Sequence, residues 1–241
     1  MSDDWASLAK VQIEEATSRI QSYTQIAEPD FIEIYEKIRT ITMLSFEKLL
    51  DLYNSINYIN RISLPGSIIE IGTWKGGSLA MAMLADSTNR REFIGFDTFE
   101  GHLRPPKSEF DIRGNRLQEI WDRENKHGKK MAYSSIEECE GNLVGLKKPT
   151  QNLKLVKGDV RSTLQSNLPE AISILRIDCD WHSETLHTLN YLWERLLLGG
   201  VLYLDAFGHI SGMKQAYMDF FQGKNIKYTH VDYAGVVIVK T

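Results

Sequence analysis

Ser67-Ile68-Ile69-Glu70-Ile71-Gly72-Thr73-Trp74-Lys75-Gly76-Gly77-Ser78 is the stretch on which the fold turns. A short apolar run follows Pro65 and Gly66 without polar alternation, so residues 67–71 read as a strand buried on both faces. The run ends in a glycine-bearing bend, and residues 77–85 then read as a helix. Further downstream, residues 92–96, 153–156, 172–177 and 200–204 repeat the strand pattern, while 135–146, 160–167 and 183–197 read as helices between them. This alternation predicts a doubly wound, Rossmann-like α/β fold: a parallel sheet with helices on both faces. The tail departs from it. After a helix near 213–221, residues 227–232 and 236–240 flank the turn Tyr233-Ala234-Gly235, and strands joined so closely must form an antiparallel hairpin at the sheet edge.

Upstream, residues 5–60 carry apolar side chains at helical spacing, as in Leu44, Leu49, Leu50, Tyr53 and Ile56. The expected division is a helical extension over 1–60 and a doubly wound domain over 61–241. Residues 100–134 interrupt that domain with a polar, breaker-rich tract containing Gly101, Pro105, Pro106, Gly114 and Gly128, and a short helix near 117–123. A connection of this length inside a compact domain reads as a functional lid or a disordered excursion, and a lid over the active site is the favoured reading.

The chain has 241 residues, 42% hydrophobic and 25% charged, ordinary values for a globular protein. A net charge of -4 gives no reason to expect nucleic acid or an anionic membrane as partner, which leaves a small molecule. Two cysteines, Cys139 and Cys179, make no disulfide framework or CxxC motif, and no signal-peptide pattern or long apolar run appears. The cytoplasm is the expected compartment.

In an open α/β sheet the ligand crevice lies beyond the carboxyl ends of the strands, where the strand order reverses. The first such loop holds Glu70 and Gly72, and its glycines would admit a ligand close to the backbone. It lacks the GxGxxG spacing of a pyrophosphate cradle, with Trp74 at the place of the second glycine. A carboxylate at Glu70 would attract a ligand carrying ammonium and sulfonium charges, which suits S-adenosylmethionine; the plainer reading is a turn that packs a helix on a strand. The second strand ends at Asp97-Thr98-Phe99, where an acid can accept both ribose hydroxyls of an adenosine, in a nicotinamide cofactor equally well. Asp159, before Val160, could receive an adenine amino group or cap the following helix.

The fourth and fifth strands lead to Asp178 and Asp205, which neighbouring strand ends would place side by side. Two such carboxylates repel unless a cation or proton lies between them, and a divalent ion such as Mg²⁺ would also lower the pKa of an acceptor hydroxyl. His182 and His209 are the alternative general bases, although a lone histidine of this kind is more often a surface or hydrogen-bonded loop residue.

Four motifs in order, Glu70 to Ser78, Asp97-Thr98-Phe99-Glu100-Gly101, Leu175-Arg176-Ile177-Asp178-Cys179-Asp180 and Leu198-Gly199-Gly200, resemble the macrocin O-methyltransferase family from about Thr40 onward. The resemblance implies a class I methyltransferase acting on a sugar or phenolic hydroxyl of a natural product, with S-adenosylmethionine, commonly Mg²⁺, and often as an oligomer. The expected cofactor-binding residues are Glu70, Gly72, Thr73, Trp74, Ser78, Asp97, Thr98, Phe99, Asp159, Val160 and Asp178; Asp178, His182 and His209 are the catalytic candidates, and Asp178 and Asp205 the metal ligands. Ala206 stands where the family carries another acid, so a metal site would lack one ligand unless Asp180, His182 or His209 completes a mixed site. A nicotinamide-dependent oxidoreductase and a non-catalytic cofactor-binding subunit are the competing readings.

Overall fold

The computed structural model describes residues 27–148, 150–224 and 226–241. The helix expected across 5–60 lies outside these up to residue 26. The described part of that segment forms two helices, α1 (Pro29–Ile38) and α2 (Phe46–Arg61). Ser45 starts the second, its hydroxyl accepting from the Lys48 N–H at 3.2 Å.

The remaining elements are β1 (Ser67–Ile71), α3 (Gly77–Ala85), β2 (Phe93–Asp97), α4 (Leu117–Glu124), α5 (Ile136–Val144), β3 (Leu153–Lys157), α6 (Val160–Thr163), β4 (Ile172–Ile177), α7 (His182–Leu192), β5 (Leu196–Leu204), α8 (Ser211–Phe220), β6 (Thr229–His230) and β7 (Val236–Val239). They build a seven-stranded sheet in the order β3-β2-β1-β4-β5-β7-β6. The first five strands pair in parallel, and β7 runs antiparallel to both β5 and β6. The expected α/β class and terminal hairpin are both present, with the reversal of strand order between β1 and β4.

Two boundaries differ from expectation. Residues 193–197 do not continue α7: a turn of 3-10 helix over Trp193–Arg195 leads straight into β5, because Leu196 pairs with Ile172 of β4. Helical spacing in the sequence is overridden there by a tertiary pairing. β6 is only two residues long, shorter than the expected run from 227 to 232.

Alternation along the central strands divides the core into two layers. Ile69, Ile71, Leu175, Ile177, Leu202 and Leu204 face the layer covered by α7 and α8. Ile68, Ile174, Val201 and Tyr203 face the layer built with α1, α2 and α3. The amino-terminal helices are therefore half of the core wall, and the second layer carries a buried polar ladder. Glu70 of β1 lies opposite Arg176 of β4, which lies opposite Tyr203 of β5. The Tyr203 hydroxyl is met from α2 by Asp51 Oδ2 at 2.6 Å and Ser55 Oγ at 2.7 Å.

Candidate active site at the strand ends

Register carries the site. Ile71 pairs with Phe96 on one side and Ile177 on the other, and Ile177 pairs with Leu204, so the residues that follow these strands emerge in one row. Gly72, Asp97, Asp178 and Asp205 line a common cleft of about 2620 Å³. Small-molecule sites usually occupy about 300–1,000 Å³, so the space admits two ligands side by side.

The loops of this row adopt conformations that cost energy. Gly72 has φ +89°, and a Cβ built there would collide with the Asp178 main-chain oxygen. Trp74, Phe99 and Asp180, which follow β1, β2 and β4, are non-glycine residues at φ +47°, +51° and +67°. Left-handed backbone at three neighbouring loops is strain of the kind that gathers at functional sites. Asp97 holds two of them in place: its Oδ2 accepts from Trp74 N–H and its Oδ1 from Phe99 N–H, each at 2.8 Å. The Thr98 hydroxyl lies 3.4 Å from Oδ1 as well, whereas Oδ2 keeps a second acceptor position for a ligand hydroxyl.

The structure sorts the expected cofactor residues into two groups. Gly72, Trp74, Asp97, Thr98, Asp159, Val160 and Asp178 line the cleft. Glu70, Thr73, Ser78 and Phe99 are buried behind it. Glu70 is only 2% exposed; one oxygen takes Ser78 and Arg176 Nη1, the latter at 2.7 Å, and Oε2 has no partner. It supports the bend from beneath, so the expected direct attraction of a cationic ligand is replaced by an internal ion pair. Asp159 caps α6, accepting from Arg161 N–H at 2.9 Å, and pairs with the Arg161 guanidinium at 2.6 Å.

Asp178 and Asp205 do meet, but the cations with them belong to the chain. Arg176 Nη2 donates to Asp178 Oδ2 at 2.8 Å and Asp205 Oδ1 at 2.7 Å. Lys48 of α2 donates to Asp205 Oδ2 at 2.8 Å. Burial alone would raise the Asp205 carboxyl; Lys48 and Arg176 outweigh it and hold that carboxyl below its ordinary range. Asp178 moves the other way, pushed up by burial and then by the charge of Asp205. The expected Mg²⁺ ligand set does not fit here: among the described residues no three His, Cys, Asp or Glu side chains converge as a metal group, and Ala206 adds only a methyl.

The histidines separate. His182 turns away from the cleft and meets Asp219 of α8 at 2.8 Å, so the expected base is instead an α7–α8 contact. His209 does line the cleft, with Nδ1 3.4 Å from the Tyr233 hydroxyl. Sequence reasoning missed His102, whose Nε2 lies 3.4 Å from Asp180 Oδ2 in the same cleft. It also missed Lys48, which comes from a helix read as preamble. Only the basic residue at helical spacing was visible for Lys48, and only its place in the breaker-rich 100–134 tract for His102.

The segment 100–134 lies along the cleft and is pinned by indole N–H groups. Trp74 donates to Tyr133 O at 3.1 Å, Trp181 to Leu103 O at 3.0 Å and Trp121 to His102 O at 2.8 Å. Glu109 of the same segment is buried, and its Oε1 accepts from His182 N–H at the start of α7 at 2.9 Å. Burial, aided by the charge of Glu184, raises its carboxyl to about 7 against the pull of that N–H.

The model of the macrocin-O-methyltransferase (TylF) family matches residues 35–240. The chain is 23% identical over 186 residues to demethyldecarbamoylnovobiocin O-methyltransferase of Streptomyces niveus, covering 76% of this chain and 68% of that protein. It is 24% identical over 184 residues to the 8-demethyl-8-(2,3-dimethoxy-alpha-L-rhamnosyl)-tetracenomycin-C 4'-O-methyltransferase of Streptomyces olivaceus, covering 74% and 67%. Among solved structures, the O-methyltransferase NovP superposes with a TM-score of 0.70 at 21% identity, over 83% of this chain and 82% of that one. With the class I sheet, the strand-end cleft and a family match spanning most of its length, the chain belongs to the macrocin O-methyltransferase family and is an S-adenosylmethionine-dependent O-methyltransferase.

Proposed function

We propose that this enzyme methylates a hydroxyl group of a sugar or another natural-product small molecule, and that the row Gly72, Asp97, Asp178 and His209 is its working site. The relatives above are named for acceptors of that class. The observation that carries the site is Asp97: a cleft-lining carboxylate locked by two backbone N–H groups, with an acceptor position left on Oδ2 for a ribose hydroxyl. The missing Cβ at Gly72 leaves room for a ligand against the backbone beside it. Bound adenosylmethionine supplies an electrophilic methyl group.

The chain's own residues then have three tasks. Gly72, Trp74 and Asp97 orient the cofactor, and the 100–134 segment excludes water as a lid. Asp178 Oδ2 is taken by Arg176, which leaves Oδ1 to receive the acceptor proton, and the raised carboxyl pKa suits it to hold that proton. His209, which also lines the cleft, hydrogen-bonds the acceptor. Calorimetry with adenosylhomocysteine and, separately, NADH tests the site. Binding of the first alone is expected, and Asp97→Ala should weaken it by at least about ten-fold, as loss of a charged hydrogen bond does. Undiminished affinity in that variant would move the cofactor elsewhere.

A further inference from the structure

Lys48 ends in a cage of oxygens. Its Nζ lies 2.8 Å from Asp205 Oδ2, 3.0 Å from the Asp205 main-chain oxygen and 3.6 Å from Asp232 Oδ2. The three side chains are 14%, 14% and 13% exposed. Asp232 is itself held: Oδ1 accepts from the backbone N–H groups of Ala234 and Gly235, and Oδ2 from Ser45 Oγ. Carboxylate and carbonyl oxygens converging on one point are the donor chemistry of a hard cation. Here an ammonium group fills the place, and a second cation, Arg176, occupies the other oxygen of Asp205. A divalent ion brought to this cluster would meet two fixed positive charges at short range and, at Ala206, a methyl in place of a ligand.

We propose that Lys48 takes the cation position of the acceptor pocket, so that the charge next to Asp205 is a permanent part of the chain and no divalent ion is taken up there. This rests on the methyltransferase reading of the cleft. An ammonium nitrogen carries three N–H donors, and two are directed at Asp205. The third turns toward Asp232 Oδ2 at 3.6 Å, so the ammonium spends its donors on the chain's own oxygens at the edge of the cleft. The charge is delivered by α2, which couples the site to the amino-terminal helices that wall the core.

Mn²⁺ alone is the probe, followed by electron paramagnetic resonance on the wild type, on Lys48→Met and on Lys48→Met/Ala206→Asp. The wild type should leave Mn²⁺ in solution. The double variant, with the ammonium removed and a third acid supplied, should bind it at least about ten-fold more tightly, the low end of what one altered neighbour does to metal affinity. Lys48→Met should gain in the same direction, which keeps the test open if Ala206→Asp does not fold. Stoichiometric Mn²⁺ on the wild type as tight as on the variants would overturn the assignment, as would folded variants that gain no affinity. Adenosylhomocysteine calorimetry on the same samples separates the two levels. Undiminished cofactor binding with Mn²⁺ on the wild type removes only the role of Lys48, whereas no cofactor binding in the wild type removes the reading of the cleft itself.

Discussion

Asp178 and Asp205 are the same side chain at the ends of neighbouring strands, and their surroundings give them opposite characters. Asp205 has a cation on each oxygen and stays ionised, whereas Asp178 has one partner and an acidic neighbour. Asp178→Asn should therefore abolish transfer while leaving adenosylhomocysteine affinity close to wild type, measured by turnover and calorimetry on one preparation. Wild-type turnover in that variant would reassign the proton to His209 or to the His102–Asp180 pair. Glu109 gives a prediction about stability. Its folded pKa of about 7 stands above the ordinary 4.5, so the folded state binds the proton more tightly and loses stability as pH rises from about 4.5 through 7. The shift corresponds to something on the order of 3 kcal/mol. Thermal melts should fall across this window in the wild type and flatten in Glu109→Gln; parallel curves would show that Glu109 is not the group responsible.

At the scale of elements, the 100–134 segment, the proposed lid, is held by hydrogen bonds more than by a core of its own. Within α4 only Leu117 is buried, and that helix stays in place beside the cleft partly through the Trp121 indole. Trp181→Phe keeps an apolar ring against the core but removes the donor that holds Leu103 O. Amide exchange across 100–134 should accelerate in this variant while β1 and β4 remain protected, because the lid opens locally and the sheet opens only globally. Exchange unchanged in the lid would show that the other two indoles suffice. Composition and punctuation exposed this segment as an excursion. That it turns back to line the cleft could not be read, since Trp74 and Trp181 reach it from distant loops through its main-chain oxygens, which carry no sequence signature.

At the scale of the molecule, two core layers share one sheet, and the cleft lies where their edges meet. A ligand held there binds the folded state alone, so adenosylhomocysteine at about 100 times its dissociation constant should add about 2.7 kcal/mol. For a chain of this size that is a rise of about 5–10 °C in melting temperature, with none from NADH; equal rises would point to a general adenosine pocket. Among the described residues no helix is long and apolar enough to cross a membrane. The sequence by itself determined the sheet and its ends: strand-length apolar runs, glycine bends and acids at 97, 178 and 205 are local features whose physics acts within a few residues. Only the tertiary structure decided which charges those acids meet. Glu70 faces Arg176 because β1 pairs with β4, and Lys48 reaches Asp205 across 157 residues because α2 packs on that face. Electrostatic pairing depends on distance through space, and no spacing along the chain encodes it.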